Sequence, residues 1–461
     1  MNPPAGPLGS LANCRAIVLG LGRFGGGAGA ARYLAERGAR VLVTDLRTAE
    51  ELPEARAELA GLDLEWVLGE HRLADFEGAE LVVANPAVPS GSSWLQHARQ
   101  SGARVTTEIE LFLGVADCKT IGITGTHGKT STASFTVQLL EAAGLRAHLG
   151  GNAGGSLLGS VENLDPEDVA VLELSSYQLE HLGTPPLAKR GLDAAAITCL
   201  GNDHLGRHGD AAGYAAAKRR IAELMRAGAP LVLGGGLDRE PSFARLPGAR
   251  GPNQSAISST ANSSAANSSS EGAAGLPEFQ RRNAALARDL VASLGIPPPD
   301  SQLALRTPPH RLEQLPALCG MNVFDNAVST TPESTAAALE SLPGPVVLLA
   351  GGRSKELPWE PLLRAAEGRL RAAVTFGEVA AELTLALRAR GLPAVRADDL
   401  GTAVALAAGL GRPGDTLLFS PAASSFDAFP NFQERARVFR GALDGLRELP
   451  AAHSGGSPPR S

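Results

Sequence analysis

The chain has 461 residues, a net charge of −6 and an isoelectric point near 5.9. At about 150 residues per domain this length predicts roughly three domains with ample cores, and the acidic balance argues against a general nucleic-acid or polybasic membrane binder. Cys14, Cys118, Cys199 and Cys319 form no CxxC pair, no apolar run is long enough for a membrane span, and MNPPAGPLGS lacks the pattern of a signal peptide, so a cytoplasmic protein without disulfide framework or zinc ribbon is expected.

Residues 14–47 read strand–turn–helix–strand. Ala16–Leu19 is a short apolar run, GLGRFGGGAG a turn, the Ala-rich stretch to Arg37 a helix closed by Gly38, and Val41–Thr44 a second strand. Leu81–Ala84 reads as a further strand, followed by the loop NPAVPSGS. A second unit opens near Lys119, with strand Thr120–Thr124, loop GTHGKT and helix Ser131–Ala143 stopped by Gly144. Strands recur at Val169–Leu172, Ala194–Thr198 and Leu231–Leu233. Residues 251–275 are low in complexity and cannot bury a core, which predicts a mobile surface loop of the middle domain or an interdomain linker. The helical segment Leu276–Leu294 follows, then a third α/β unit from about Leu303 with strands Val346–Leu349, Ala372–Phe376 and Thr416–Phe419. Three consecutive α/β units are predicted.

The basic residues divide into 37 arginines and 5 lysines, so Lys119, Lys129, Lys189, Lys218 and Lys355 merit reading one by one. A lysine is a compact charge and can lose its proton when buried, which arginine cannot. Gly125, Thr126, His127, Gly128, Lys129, Thr130 and Ser131 lie between a strand and a helix. Glycines admit backbone N–H groups to a phosphate chain, Lys129 reaches the terminal phosphates, and Thr130 offers a hydroxyl to Mg²⁺. The strict GxxxxGK[ST] pattern fails by one position, because Ile123 stands where its first glycine belongs.

The turn Gly20-x-Gly22-x-x-Gly25, with Asp45 twenty positions beyond, is literally the dinucleotide fingerprint with its acid on a ribose hydroxyl. In a chain with 54 glycines it reads equally as a tight βα turn holding another nucleotide or none. Glu173, just past a strand, reads either as a Mg²⁺ ligand or as a solvated helix-start acid. His204 in GNDHL is a metal ligand or proton carrier by type, and Lys218 a solvated charge or a lysine kept for a reason. Three C-terminal segments remain, PHR (309–311), GGRSK (351–355) and SPAASSFD (420–427), each weak alone.

Taken in order, GITGTHGKT, GGNAGG, LELSSYQLE, GNDHL, PPHRLE, TTPEST, AGGRSK and SPAASSFDAFPNF resemble the Mur ligase family of ATP-dependent amide-forming enzymes over nearly the whole chain. LELSSYQLE and SPAASSFDAFPNF are similar to the D-glutamate-adding branch. The resemblance implies residues 1–106 as a Rossmann-like UDP-sugar domain, 107–302 as a P-loop ATPase domain and 303–461 as a Rossmann-like domain for the incoming amino acid. It implies addition of D-glutamate to UDP-N-acetylmuramoyl-L-alanine through an acyl phosphate, with ATP and two Mg²⁺ ions and no nucleic-acid partner, by a monomer.

By the same resemblance Lys129, His204, Lys218 and Arg311 are the catalytic positions. Thr130, Glu173, His204 and Lys218 would hold metal, Lys218 as a carbamate, which requires a neutral amine. Gly22, Asp45, Arg47, Asn85, Asn152, Ser175 and Gln178 would face the UDP substrate, and Thr330, Lys355, Ser425 and Phe432 the D-glutamate. The chain departs from the family pattern at Asn326 (usually Asp), Val328 (usually Lys), Gln280 in the stretch before Asn283, and Gly206 (usually Asp). A sibling ligase with another amino acid and an NAD-binding protein without ligase activity are the rival readings.

Overall fold

The computed structural model describes residues 10–22, 25–182, 191–201, 205–251, 276, 278–297, 299, 303–342 and 344–448. His204 and the low-complexity residues 252–275 lie outside the described residues. The chain divides into two compact units, Met1–Gly275 with Gln280–Arg306, and Leu276–Phe279 with Thr307–Ser461. Among the described residues no helix is long and apolar enough to cross a membrane.

The first unit carries two sheets. β1 (Arg15–Leu19), β2 (Arg40–Asp45), β3 (Leu64–Leu68), β4 (Leu81–Ala84) and β5 (Arg104–Thr106) form an all-parallel sheet in the order β3-β2-β1-β4-β5. Ala16, Ile17, Val18 and Leu19 are all fully buried, as a central parallel strand covered on both faces requires. Strand order reverses at β1, so the loops after β1 and β4 face one crevice at the carboxyl ends of the strands. Gly20–Gly22 and Asn85 therefore meet although the sequence sets them far apart: a Cβ on Gly22 would lie 2.3 Å from Asn85 Nδ2.

β6 (Lys119–Thr124), β7 (Ala147–Gly151), β8 (Val169–Glu173), β9 (Ala194–Ile197), β10 (Leu231–Leu233) and β11 (Ala249–Arg250) form the second parallel sheet, in the order β11-β10-β9-β6-β8-β7. The helix Lys129–Ala142 leaves the loop after β6; Gly128, at φ 82, stands at its start and Gly144, at φ 83, just past its end. Phe135, Leu139 and Leu140 are fully buried on one side of it, as their spacing predicts. β8 and β9 flank β6, so the loops after all three strands open onto one edge.

The second unit is built on β12 (Glu313–Leu318), β13 (Met321–Asp325), β14 (Val346–Gly351), β15 (Leu370–Phe376), β16 (Ala394–Arg396) and β17 (Thr416–Phe419), in the order β12-β13-β17-β14-β15-β16. β12 runs antiparallel to β13 and the other pairs are parallel. The last helix, Phe432–Glu448, buries Arg435, Ala436, Phe439 and Leu443.

One glycine of the first turn is fixed by packing. A Cβ on Gly27, in the first turn of the helix Gly26–Glu36, would lie 2.5 Å from Leu21 Cα and 2.6 Å from its carbonyl oxygen. Backbone cannot retreat as a flexible side chain can. Gly27→Ala is expected to cost about 1–3 kcal/mol as overpacking, read as a lowered melting temperature of the purified protein; an unchanged melting curve would contradict this packing.

Candidate functional site

A cavity of about 770 Å³ runs through the first unit, lined by Gly22, Asp45, Arg47 and Asn85 from the first sheet and by Lys129, Asn152, Ser175, Gln178 and Lys218 from the second. Asp45, at the end of β2, is buried and fully engaged. Its Oδ1 accepts from Arg47 N (2.9 Å) and Nε (3.1 Å), and its Oδ2 from Leu21 N (2.9 Å) and Arg47 Nη2 (2.9 Å). Arg47 Nη2 also donates to Gly22 O (3.1 Å). Burial alone would raise the Asp45 carboxyl, but the Arg47 and backbone donors outweigh it and hold it below the usual carboxylate range. A ribose hydroxyl would have to compete with four donors already in place, so Asp45 here shapes the glycine turn and aims Arg47.

The loop after β6 is held from behind. Gly125 has φ 146, and a Cβ there would lie 1.9 Å from Thr198 Oγ1; a Cβ on Gly128 would lie 2.4 Å from Asn283 Oδ1. Thr198 Oγ1 donates to His127 O (2.5 Å), and Thr126 Oγ1 accepts from Gly201 N (2.9 Å) and Tyr214 Oη (3.2 Å). Lys129 Nζ donates to the carbonyls of Gly125 and Thr126, 3.0 Å each. Lys218, 1 % exposed, donates from Nζ to the same Gly125 carbonyl at 2.7 Å and lies 4.6 Å from the centre of the Tyr214 ring. The bland reading of Lys218 as a solvated charge is therefore wrong: the helix Ala211–Arg219 carries it into the loop across 93 residues of sequence.

Beside this loop Glu173, the last residue of β8, is 1 % exposed. Its Oε2 accepts from Thr130 Oγ1 (2.6 Å) and its Oε1 from Asn152 Nδ2 (2.8 Å). A solvated helix-start acid is excluded. Among the described residues these two hydrogen-bond donors are neutral, and a buried carboxylate next to a hydroxyl is an oxygen donor set that suits a hard divalent cation. Ser175 and Gln178 form a capping box on the helix Ser176–Glu180, with Ser175 N donating to Gln178 Oε1 (2.8 Å) and Gln178 N to Ser175 Oγ (3.2 Å). The S-x-x-Q spacing carried that signal in sequence.

The second unit places Arg311, Thr330, Lys355, Ser425 and Phe432. Lys355 Nζ donates to Thr330 Oγ1 (2.8 Å), which brings those two together. Ser425 is buried at the start of the turn after Ser424. Arg311 sits between His310 (φ 61) and Leu312 (φ 52), two left-handed residues that tightly constrain its backbone. His310 Nδ1 lies 2.7 Å from Asp325 Oδ2, and its ring packs edge-on against Phe432 with centroids 6.1 Å apart. Arg440 Nη2 donates to Asp325 Oδ2 (2.7 Å) and Glu313 Oε2 (2.6 Å), so a guanidinium already balances that acid pair. Asp325 is fully buried in this cluster, and Asn326 donates to Ser420 Oγ (3.1 Å). The acid next to the departing position is thus committed to structure.

A family model described as Mur ligase middle domain matches residues 123–271, and one described as Mur ligase MurD-like, N-terminal domain, matches residues 14–107. The chain is 35% identical to the UDP-N-acetylmuramoylalanine–D-glutamate ligase of Roseiflexus sp., covering 93% of this chain and 98% of that one. It is 37% identical to the ligase of the same name from Anaeromyxobacter dehalogenans, covering 93% and 97%. Among solved structures it is similar in fold to the UDP-N-acetylmuramate-alanine ligase MurC of Thermotoga maritima, with a TM-score of 0.56 at 16% identity over 94% of this chain and 99% of that one. It is similar likewise to the MurF ligase of Thermotoga maritima in complex with ADP, with a TM-score of 0.55 at 15% identity over 95% and 100%.

Glu108, a cavity-lining residue that no motif marks, gives the first unit a pH signature. It opens the helix Glu108–Val115 behind the Thr107 cap, and Ser156 Oγ donates to its Oε1 at 2.5 Å. Burial pushes its carboxyl from 4.5 up to about 7, against the lowering effect of Ser156 and the Leu158 N–H. Below the unfolded value both states hold the proton. As pH rises from there to about 7 only the unfolded chain releases it freely, so stability falls and then levels off. Glu108→Gln removes this loss: the variant is expected to match wild type near pH 4.5 and to exceed it by up to about 3 kcal/mol above pH 7, measured as a pH-dependent gap in melting temperature. A gap that does not change with pH would contradict a protonated Glu108.

Proposed function

Because this chain belongs to the Mur ligase family, we infer that it joins D-glutamate to UDP-N-acetylmuramoyl-L-alanine in an ATP-dependent reaction of peptidoglycan precursor synthesis. The observation that carries the reading is the single cavity in which the phosphate-type loop with Lys129, the buried Glu173–Thr130 pair and the nucleotide-type crevice with Arg47 and Asn85 share one lining or adjoin it. We assign residues 1–106 to the UDP-sugar, 107–302 to ATP and 303–461 to the amino acid.

In this account the alanyl carboxylate of the substrate attacks the γ-phosphorus of ATP, forming a C–O–P linkage as the bond to the β-phosphate oxygen breaks. Gly125–Ser131 present backbone N–H groups to the phosphates, and Lys129 neutralises charge that builds on the transferred group. ADP leaves and an acyl phosphate remains. The neutral D-glutamate amine attacks the acyl carbon, the tetrahedral intermediate expels phosphate, and the nitrogen releases one proton to the departing phosphate or solvent and keeps the other as the amide N–H. Thr130 and Glu173 fit one Mg²⁺ position, and His204 with a carbamylated Lys218 is assigned the other. When bound, the ions screen the phosphate charge and polarise the reacting oxygens. Gly22, Arg47, Asn85, Asn152, Ser175 and Gln178 are assigned to the UDP substrate, with Asp45 acting through Arg47 and the glycine turn, Arg311 to the γ-phosphate, and Thr330, Lys355, Ser425 and Phe432 to D-glutamate.

The assay is phosphate release by the purified protein. Release is expected only with ATP, UDP-N-acetylmuramoyl-L-alanine and D-glutamate together; equal turnover with a different amino acid would place the chain in a sibling activity, and none with any amino acid would overturn the ligase reading. Lys218 separates charge from carbamate. Lys218→Arg keeps a cation near Gly125 O but cannot be carbamylated, so both it and Lys218→Ala are expected to lose at least about a hundredfold in kcat, with partial rescue of the alanine variant by short carboxylates. Near-full turnover of Lys218→Arg would contradict the carbamate.

A further inference from the structure

Arg435 is the largest fully buried side chain in the second unit, with 0 % exposure, and no motif reading used it. Its guanidinium makes no ion pair among the described residues. Instead Nη1 donates to the carbonyls of Gly351 (3.3 Å), Ala423 (3.1 Å) and Ser424 (3.0 Å), and Nη2 donates to Ala327 O (3.3 Å). Its Nε is buried with no hydrogen-bond partner among the described residues. Burial pushes this guanidinium down to about 10, with Asp427 the one charge that opposes the fall, so it stays a cation at neutral pH.

A buried cation satisfied by carbonyls alone is costly, and its position explains what it does. The four carbonyls belong to the three chain segments that leave the carboxyl ends of β13, β14 and β17, which are neighbours in the sheet. Ala327 is three residues before Thr330, Gly351 four before Lys355, and Ser424 immediately before Ser425. Arg435 itself stands one turn after Phe432 on the last helix. The planar fork has donors in fixed directions, so it sets the three segments against one another. The backbone has closed around it: a Cβ on Gly352 (φ 135) would lie 2.1 Å from Ser424 O and 2.8 Å from Arg435 Nη1.

We propose that Arg435 is the positioning residue of the amino-acid site, pinning the β13, β14 and β17 segments so that Thr330, Lys355, Ser425 and Phe432 converge on the incoming amino acid. This rests on the assignment of those four residues made above. The guanidinium touches no substrate; it acts through the loops.

The test is a comparison of KM values for D-glutamate, ATP and the UDP substrate in wild type, Arg435→Met and Arg435→Lys, with melting curves for each. Arg435→Met is expected to raise the D-glutamate KM at least about tenfold, because small misplacements of binding groups are amplified, while the other two KM values stay within about twofold. Arg435→Lys, with a flexible point charge, is expected to fall between. A second substitution, Ser425→Ala, is expected to add less than its single effect when combined with Arg435→Met, since both damage one site. If the methionine variant does not fold, the lysine variant decides. A D-glutamate KM unchanged in the folded variants, or all three KM values rising in parallel, would overturn the proposal. The functional reading fails separately, in wild type, if D-glutamate supports no turnover.

Discussion

The Gly125 carbonyl is the point on which the first unit's chemistry turns. Two lysines, one four residues on and one 93 residues on, both donate to it. Neither could do so unless the backbone at Gly125 took a conformation that leaves no room for a Cβ beneath Thr198. The same tight passage places Thr130 at the start of a helix and against the Glu173 carboxylate. Loop geometry, the placing of both lysines and the oxygen donor pair thus follow from one close approach between the ends of β6 and β9. A helix N-terminus with the Lys129 ammonium beside it favours anions, which is the electrostatic condition for holding a triphosphate.

Parallel topology supplies the rest. In both sheets of the first unit the strand order places functional loops side by side at the carboxyl edge. In the first sheet this joins the glycine turn to Asn85, and in the second it joins Gly125, Glu173 and Thr198. The Asp45–Arg47 pair shows how the crevice is tuned: the carboxylate spends its oxygens on the turn, and the guanidinium bridges Asp45 to Gly22. In the second unit two arginines, Arg435 buried and Arg440 half-buried, take over as organisers. Arg440 compensates Asp325 and Glu313, and Arg435 donates to carbonyls with no ion pair among the described residues.

The central strands were legible in the amino-acid sequence and the edges were not. β1, β2, β4, β6, β8, β9, β10, β14, β15 and β17 are apolar runs buried on both faces, and each was anticipated. The six edge strands, β3, β5, β7, β11, β12 and β16, were missed together with β13. Edge strands are short or half-solvated, and β12 carries Pro316, which a central strand would exclude. Lys129, Thr130 and Glu173 sit in readable motifs; Lys218 is marked in the sequence by the scarcity of lysine and by the family resemblance, while its place under Gly125 comes from the helix Ala211–Arg219. Glu108 had no spacing signal. Arg435 had one that went unread: it lies on the stripe of Phe432, Ala436, Phe439 and Leu443, where a cation at an apolar position marks a buried charge.

The account stands on the loop Gly125–Ser131 as the seat of the transferred phosphoryl group. A crystal structure of the protein with a non-hydrolysable ATP analogue tests it most directly. The terminal phosphate is predicted within hydrogen-bond distance of Lys129 Nζ and of backbone N–H groups at the start of the helix Lys129–Ala142. A nucleotide seated elsewhere, with Lys129 still donating to the Gly125 and Thr126 carbonyls, would contradict it.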